Sequence, residues 1–323
     1  MKETGTTPRV SVVVSSHQRA HLLPALISAL EAQTLDRSLF EVVITDDGST
    51  DGTATVLDEL RRNSPLTMTV LHNDRNRGAP AGRNLAWRAA RAPVIAFTDD
   101  DCRPQPKWLE AGLATLEHAR VVVGLTTPPP GQEPLAFAPF ARALWVREPK
   151  YFETCNVFYR RSDLEESGGF EERFRAGEDT DLALRVTPYG EGAAFADDAL
   201  VYHEVRPGDF LAAVRESFRW VDLPLVVGRH PQVRTTMLHR RVFWKRTHPP
   251  AVLALAGILL AVARRRPWPL LLLVPWVRLR VTSQPLTPGP RRRWLVLPGG
   301  LALDVVEVGV MVRGSVRHRT LVL

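Results

Sequence analysis

The chain is poor in cysteine and carries no glycine-rich phosphate loop. Its two cysteines, Cys102 and Cys155, form neither a zinc-binding pattern nor a disulfide framework, which fits a reducing compartment. No GxGxxG follows the first apolar run, and no GxxxxGKS or GxxxxGKT occurs, so dinucleotide-binding and P-loop folds lack their phosphate cradle here. The N-terminus, MKETGTTPRV, has no apolar stretch of the signal-peptide kind, and we expect the first domain to be cytosolic.

Acidic residues are missing from most of the last third of the chain. Residues 1–222 hold 25 Lys and Arg against 33 Asp and Glu, whereas residues 223–303 hold 14 Lys and Arg and no acid. The net charge of +7 therefore originates in the C-terminal region. Nucleic-acid binding is disfavoured there, because the arginines are mixed with aliphatic runs instead of forming a known binding module.

Long hydrophobic runs are absent as well. The apolar stretches at 251–263 and 267–277 are each shorter than the about 20 residues that a membrane-spanning helix needs. Arginines and tryptophans flank them, which predicts helices that lie in, or re-enter, the cytoplasmic face of an anionic membrane. The run at 294–312 is longer, but Asp304 and Glu307 would be costly in lipid. A soluble helical subdomain with a basic face is the alternative.

The first 222 residues alternate short apolar runs with helix-like stretches. Unbroken β-branched runs predict buried strands, and apolar residues at helical spacing between them predict helices. This alternation is typical of an α/β fold in which helices flank a mostly parallel, Rossmann-like sheet. The predicted strands lie at 9–16, 40–45, 66–73 and 92–98, and the predicted helices at 21–33, 53–62 and 82–91.

Polar side chains follow three of the predicted strands. VSVVV is followed by SSHQR, VVIT by Asp46 and Asp47, and VIAFT by Asp99, Asp100 and Asp101. Ligands of such sheets bind beyond the carboxyl ends of the strands, so we expect these groups to share one crevice. Three adjacent carboxylates fit either a solvated turn or a divalent cation, which takes oxygen ligands. The expected convergence of the strand ends favours the cation.

Five segments carry a family resemblance. VSVVVSSHQRAHLLPALISAL, VVITDDGSTDGT, NRGAPAGRNLAW and VIAFTDDD follow one another, and ETCNVFYRRSDLEESGGFEERFRAGEDTDLALRV comes later. Together, over residues 9–205, they resemble the family 2 glycosyltransferases, which have the GT-A fold. The resemblance implies a glycosyltransferase domain at 1–222, with a nucleotide-binding half at 1–125 and an acceptor half at 126–222. We expect residues 223–323 to follow as an α-helical, membrane-associated tail.

The resemblance identifies FTDDD as the Asp-x-Asp signature of the family. It implies that Asp101 ligates Mg²⁺ or Mn²⁺ and that Asp99 lies near the metal or the ribose. A cation there would neutralise the charge that develops on a departing diphosphate. Asp100 is expected to point away as a bystander. His203 stands where many GT-A enzymes carry a metal-binding histidine, and a purely structural role is its alternative.

The resemblance also implies a set of residues that hold the nucleotide sugar. One of the aspartates after the second strand, more often the first, would accept hydrogen bonds from the base, although a turn cap explains them too. The start of GRNLAW would close over the nucleotide, with the arginine fork facing phosphate, although an exposed helical turn explains it as well. The expected set is Ser15, Arg19, Asp46, Asp47, Arg83, Asn84 and Asp99.

The acceptor half supplies the expected general base, Asp179 in GEDTDL. An inverting transfer needs one carboxylate to take the proton of the attacking hydroxyl, and helix capping is the alternative role. Gly169 and Glu178 are expected to border the acceptor. Arg219 and Trp220, in ESFRW, partly resemble the Gln-x-x-Arg-Trp motif of processive synthases, with Glu in place of Gln. The edge of an amphipathic helix explains this pair equally well.

The residues and the resemblance together predict an inverting, metal-assisted glycosyltransferase. The expected donor is a UDP-sugar, and the expected acceptor is a hydroxyl of a lipid-linked or cell-envelope glycan at the cytoplasmic face of the membrane. A nucleotidyltransferase usually carries a glycine-rich basic loop near the N-terminus, which SSHQRAH is not. A non-catalytic sugar-nucleotide-binding or scaffold protein is the other alternative, and the intact Asp99, Asp101 and Asp179 disfavour it.

Overall fold

The computed structural model describes residues 7–283 and 290–323, and helices pack against one eight-stranded sheet. The β-branched runs form its strands because such side chains pack well on a buried pleated surface. The strands are β1 (Val10–Ser16), β2 (Phe40–Asp46), β3 (Met68–His72), β4 (Val94–Thr98), β5 (Cys102–Pro104), β6 (Val121–Thr127), β7 (Asn156–Arg160) and β8 (Ala193–His203). Their order across the sheet is β3-β2-β1-β4-β7-β6-β8-β5.

Helices connect the strands and form the C-terminal region. The α-helices are α1 (Leu23–Glu31), α2 (Thr53–Asn63), α3 (Ala79–Ala89), α4 (Trp108–Leu116), α5 (Glu133–Ala136), α6 (Arg161–Ser167), α7 (Glu178–Val186), α8 (Phe210–Ser217), α9 (Leu223–Arg229), α10 (Val233–Thr236), α11 (His248–Arg264), α12 (Val274–Ser283) and α13 (Pro290–His318). Short 3-10 helices lie at Arg37–Leu39, Pro188–Gly190, Phe218–Asp222 and Trp268–Leu273.

The predicted α/β architecture is confirmed, and its sheet is mixed. β1 pairs in parallel with β2 and β4, and β2 with β3, as the alternation of strand and helix predicts. β7 runs antiparallel to both β4 and β6, while β5 runs antiparallel to β8. In the parallel part Ser16 pairs with Asp46, and Val13 pairs with Phe97. The polar ends of β1, β2 and β4 therefore meet at one edge.

The chain divides into two compact units. The first contains the whole sheet and consists of Met1–Pro129, Ala143–Phe174 and Glu178–Glu204. The second is helical and consists of Pro130–Arg142, Arg175–Gly177 and Val205–Leu323. The functional boundaries predicted at residues 125 and 222 stay predictions.

Two acidic side chains of α13 are buried inside the second unit. Arg280 Nη2 lies 2.6 Å from Asp304 Oδ1, and Lys245 Nζ lies 2.6 Å from Glu307 Oε1. His248 Nε2 lies 3.3 Å from the other oxygen of Glu307. The spacing of the histidine and the two carboxylates suits a metal ion, but two cationic side chains already neutralise the pair. The residues that looked costly in lipid are thus satisfied within the protein.

The helices of the second unit are not suited to span a bilayer. In the described part of the chain, no helix is both long and apolar enough to cross a membrane. The longest helix, α13, has 29 residues and contains Pro298. The predicted membrane association of this region stays a prediction.

Candidate functional site

The three consecutive aspartates form the turn between β4 and β5, at the edge where the parallel strands end. Asp100 accepts a hydrogen bond from Ser16 at the end of β1 (Oγ to Oδ2, 2.8 Å) and lies 3.8 Å from Arg19 Nε. Burial, followed by the neighbouring charge of Asp101, raises the pKa of Asp100 to about 7. Asp100 was expected to point away from the site, but its side chain connects this turn to β1. The alternation of side-chain direction along an extended strand ends where the turn begins, so it does not apply to Asp100.

Strand pairing brings a histidine to Asp101. Cys102 of β5 lies opposite His203 of β8, and His203 Nε2 is 3.5 Å from Asp101 Oδ1. The other ring nitrogen lies 3.1 Å from the carbonyl oxygen of Glu204. A proton on Nδ1 donates to that carbonyl and leaves the Nε2 lone pair directed at Asp101. The ligand atoms of Asp101, Cys102 and His203 lie within 4.8 Å of one another.

The donor set of this cluster fits a hard or borderline divalent cation. Burial raises the pKa of the Cys102 thiol well above its ordinary value. Sulfur is also a soft ligand, which Mg²⁺ and Mn²⁺ bind less readily than oxygen. The Asp101 carboxylate and the His203 imidazole remain, with the partly exposed Asp99 carboxylate two residues away. Oxygen ligands with one imidazole suit Mn²⁺ or Mg²⁺.

The two aspartates after β2 have different surroundings. Asp47 accepts hydrogen bonds from three donors of the loop 73–78, at 2.7 to 3.1 Å, and so fixes that loop. Asp46 accepts the backbone N–H of Ser49 (3.1 Å) and lies 3.4 Å from His72 Nδ1. The turn cap that was the alternative for this pair is the contact of Asp46 with Ser49, whereas Asp47 holds the loop 73–78. Because Asp46 accepts from fewer donors than Asp47, it is the better candidate for contact with a ligand.

Ser15 and Arg19 lie at and just beyond the end of β1. A Cβ atom at Gly82 would lie 2.1 Å from Ser15 Oγ, so α3 approaches the strand closely only because that position is glycine. Arg19 keeps 30% of its side chain exposed, and its backbone N–H donates to Thr53 Oγ1 (3.1 Å). Both residues therefore border the edge formed by the strand ends.

Arg83 is buried in the first turns of α3 and joins two carboxylates. Its Nη2 lies 2.9 Å from Asp99 Oδ1, and its Nη1 lies 2.9 Å from Glu178 Oε1. The side chain is 8% exposed, which excludes the alternative of a solvated helical turn. The guanidinium fork thus links the aspartate turn to the start of α7.

Asn84 and Gly169 hold a turn together. Asn84 Nδ2 donates to the carbonyl oxygen of Phe170 (2.8 Å), and its Oδ1 accepts the Phe170 N–H (2.9 Å) and the Trp87 indole N–H (2.9 Å). Gly169 has φ of 76°, and a Cβ atom there would lie 2.7 Å from Asn84 Oδ1. The geometry gives both residues a structural role, whatever else they contact.

The three acids at the start of α7 differ in their partners. The helix begins at Glu178, so Asp179 lies in its first turn. Glu178 is paired with Arg83, and the fully buried Asp181 is paired with Arg185 (Oδ2 to Nε, 2.9 Å). Asp179 accepts a hydrogen bond from the backbone N–H of the next residue (2.7 Å). Among the three, Asp179 is therefore the best candidate for a proton acceptor.

The charge of a second carboxyl group, that of Glu153, influences the pKa of Asp179. Burial raises the pKa of Asp179 well above its ordinary value, and the charges of Glu178 and Glu153 raise it further. Burial also raises the pKa of Glu153 to about 7. Its Oε2 is buried and has no hydrogen-bond partner among the described residues. Thr180 Oγ1 donates to the carbonyl oxygen of Tyr151 (2.8 Å), which holds this segment against α7. Sequence reasoning gave Glu153 no role, although it is the first residue of the segment ETCNVFYRR that is part of the family resemblance.

Arg219 and Trp220 belong to the second unit. Arg219 Nη1 lies 2.7 Å from Glu216 Oε1, which also lies 3.0 Å from Arg142 Nη1. The Trp220 ring packs against Trp244 with centroids 4.8 Å apart. These contacts agree with the amphipathic-edge alternative, and a role at the acceptor stays a prediction.

Comparison of the sequence with known proteins identifies relatives. Residues 11–170 match the model of glycosyl transferase family 2. The chain is 28% identical over 264 residues to glycosyltransferase AglE of Haloferax volcanii, covering 79% of this chain and 83% of that protein. It is 30% identical over 229 residues to validoxylamine A glucosyltransferase of Streptomyces hygroscopicus subsp. jinggangensis, covering 58% of this chain and 53% of that protein. The chain thus spans about half the length of the second relative.

Solved structures share the fold. A mannosyltransferase from Pyrobaculum calidifontis, in complex with GDP-Man and Mn²⁺, superposes with a TM-score of 0.58 at 19% identity, over 98% of this chain and 88% of that chain. S. aureus TarS 1–349, in complex with UDP-GlcNAc, gives a TM-score of 0.53 at 17% identity, over 97% of this chain and 92% of that chain. At these identities the likeness shows the fold, which is the predicted GT-A fold.

Proposed function

The chain belongs to glycosyl transferase family 2, which its residues 11–170 match, and we propose that this glycosyltransferase moves a sugar, with inversion, from a nucleoside diphosphate to an acceptor hydroxyl. The Arg83 bridge is the observation that carries the proposal. It joins Asp99, in the turn after β4, to Glu178, next to Asp179. A candidate donor-binding carboxylate and a candidate general base therefore belong to one buried network of the first unit.

The donor site is proposed at the carboxyl ends of β1, β2 and β4. Asp46 would accept hydrogen bonds from the base, with Ser15 and Arg19 beside it. The structures of the same fold that hold GDP-Man and UDP-GlcNAc support a nucleotide-sugar donor. Because those two ligands differ in their base, the uridine preference is a separate part of the proposal and needs its own measurement.

Asp101 and His203 are the residues that would hold Mg²⁺ or Mn²⁺, with Asp99 beside them. A bound cation neutralises negative charge on the departing diphosphate. The buried carboxylate and the imidazole fit this role, and the soft sulfur of Cys102 does not. The Mn²⁺ of the Pyrobaculum calidifontis complex supports the choice of metal.

Asp179 is proposed to take the proton of the acceptor hydroxyl. That oxygen attacks the anomeric carbon from the face opposite the diphosphate, the new C–O bond forms, and the bond to the diphosphate breaks with its electron pair on phosphate. The proton ends on the Asp179 carboxylate, whose raised pKa makes it a stronger base than an ordinary aspartate. Arg83 offsets part of the surrounding negative charge and so lowers the pKa of Asp179.

Thermal unfolding of the full chain against a panel of nucleoside diphosphates, with and without Mn²⁺, tests the donor site. We expect one diphosphate to stabilise the protein by about 2.7 kcal/mol at a hundredfold excess over its dissociation constant, and only with metal. The variant Asp101→Ala should lose this shift. Asp58→Ala, which removes a half-exposed carboxylate of α2, should retain it. A panel without any shift would contradict the proposal and favour the scaffold alternative.

The substitution Glu153→Gln tests the assignment of the base. The charge of Glu153 raises the pKa of Asp179, so its removal should lower that pKa. A base with a lower pKa stays ionised at lower pH, and the acidic limb of the kcat/KM profile should therefore move to lower pH. Burial raises the pKa of Glu153 to about 7, so this carboxyl titrates together with that of Asp179. The acidic limb of the unmodified enzyme therefore reflects both carboxyl groups.

Glu166→Gln is the matched control for this profile. It removes the same charge from a side chain that is 81% exposed and that contributes to the raised pKa of neither Glu153 nor Asp179. We expect its acidic limb to coincide with that of the unmodified enzyme. An unmoved limb in Glu153→Gln would show that the titrating base is a group other than Asp179.

The acceptor is proposed to be a lipid-linked or cell-envelope glycan at the cytoplasmic face of the membrane. The support is the second unit, where leucine and valine side chains are exposed in α11 and no acid occurs between residues 223 and 303. Transfer to a lipid-linked acceptor in vesicles, compared with its water-soluble glycan, would measure this part of the proposal. Equal rates on both would contradict it.

A further inference from the structure

Residues 252–274 form an exposed apolar hairpin within the second unit. Its first arm is most of α11, and its second arm is the 3-10 helix Trp268–Leu273. Gly257 allows the two arms to pack closely, because a Cβ atom at this position would lie only 2.6 Å from the carbonyl oxygen of Pro269. The hairpin is therefore a compact element with one inner and one outer face.

The two faces of α11 are reversed relative to an ordinary helix of a water-exposed domain. Its inner stripe consists of the small buried residues Ala251, Ala254 and Gly257. Its outer face carries large apolar side chains, including Leu259 (60% exposed) and Val262 (73% exposed). A surface helix normally turns polar residues outward. The large apolar side chains of this helix are therefore placed where they can contact an apolar medium.

The second arm extends this outer surface. Trp268 is 64% exposed and Leu271 is 70% exposed. Arg264, Arg265 and Arg266, all exposed, form the turn between the arms. Tryptophan beside aliphatic side chains and a basic cluster is the pattern of a protein surface at the interface of an anionic bilayer.

We propose that the hairpin 252–274 lies in the plane of an anionic membrane, with its outer leucines among the acyl chains and Arg264 to Arg266 on the lipid phosphates. α11 has 17 residues, about 25 Å at 1.5 Å per residue, which suits an in-plane position better than a core about 30 Å thick. The absence of acid between residues 223 and 303 removes repulsion from the lipid phosphates. The proposal deepens the proposed function and rests on it for the acceptor alone.

A second copy of the chain is a less suitable occupant. A two-fold interface places the same patch of each copy against the other. Such an interface would bring the arginine clusters of two copies together, and residues 223–303 offer no acidic side chain to pair with them. Like charges at that separation repel, whereas a phosphate surface attracts them.

Flotation of the full-length protein with phosphatidylcholine vesicles, with and without phosphatidylglycerol, tests the proposal. We expect binding to the anionic vesicles. The double variant L259Q/L271Q should weaken it about a hundredfold, since two large apolar side chains no longer enter lipid. R264Q/R265Q/R266Q should weaken binding to the anionic vesicles about a hundredfold and leave neutral vesicles unaffected. L135Q/L211Q, which changes two exposed leucines of other helices, should bind as the unmodified protein does.

Several outcomes would overturn the proposal. The first is that the unmodified protein binds neither kind of vesicle. The second is that L259Q/L271Q binds anionic vesicles as well as the control L135Q/L211Q does. The third is that light scattering shows a dimer that dissociates only in L259Q/L271Q. The thermal stabilisation by a nucleoside diphosphate tests the donor site independently of vesicle binding. If the unmodified protein is stabilised by the diphosphate but does not bind vesicles, only the membrane surface is rejected. If it binds vesicles but is not stabilised, only the donor site is rejected.

Discussion

Replacing Asp179 with asparagine is expected to lower kcat about a hundred- to ten-thousandfold, which is the range of general-base catalysis. The amide cannot take the proton of the acceptor hydroxyl, while the donor-side residues Asp99 and Asp101 are unchanged. The nucleoside diphosphate should therefore still stabilise the variant. Initial rates of sugar transfer, measured beside the thermal shift, separate these two effects. Unchanged turnover would remove Asp179 from the mechanism.

The same substitution is expected to raise the free energy of unfolding at neutral pH. The pKa of Asp179 is higher in the folded protein than in the unfolded chain, so the folded state binds more protons between the two values. Stability therefore falls as pH rises from the ordinary aspartate pKa through the raised one. An amide removes this penalty. Asp197→Asn, at an exposed position of β8, should change neither activity nor stability. A lower melting temperature for Asp179→Asn would contradict the raised pKa.

The strand-end edge of the first unit could be predicted because its signals are local. Unbroken β-branched runs mark β1, β2 and β4, and each polar group follows its run directly in the sequence. The parallel register that aligns Ser16 with Asp46 then follows from the alternation of strand and helix. The antiparallel entry of β7 beside β4 depends on pairing between residues about sixty positions apart, which the pattern of a single run does not encode.

The partners of charged residues could not be predicted for the same reason. Arg83 and Glu178 are 95 positions apart, and Lys245 and Glu307 are 62 apart. Asp304 and Glu307 looked costly as isolated charges in an apolar run, whereas the fold supplies a cation to each. Glu153 begins a segment of the family resemblance but has no expected role there, and only its burial beside Asp179 marks it. Residue type and spacing predict which groups are present, and long-range packing decides their pKa.

Replacing Arg83 with leucine is expected to lower the free energy of unfolding by about 3–5 kcal/mol, because it leaves buried carboxylates without their cation. Glu178 is the more affected partner, since its side chain is 9% exposed while that of Asp99 is 27% exposed. Arg83→Lys is the matched control. Its ammonium is a point charge that cannot reproduce both fork contacts, so we expect an intermediate loss. Denaturant unfolding of both variants gives the two free energies.

A double-variant cycle decides whether the bridge has this energetic role. In Glu178→Gln the loss from Arg83→Leu should be smaller than in the unmodified protein, because one buried carboxylate no longer needs a cation. Additive losses would show that the two residues act independently. Arg83 also lowers the pKa of Asp179 through its charge, so any activity left in Arg83→Leu should have its acidic limb moved to higher pH, and Arg83→Lys, which keeps the charge, should move it less. Glu153→Gln is expected to move the same limb to lower pH. Opposite movements from two residues that lie 70 positions apart would place the titrating base between them, at Asp179.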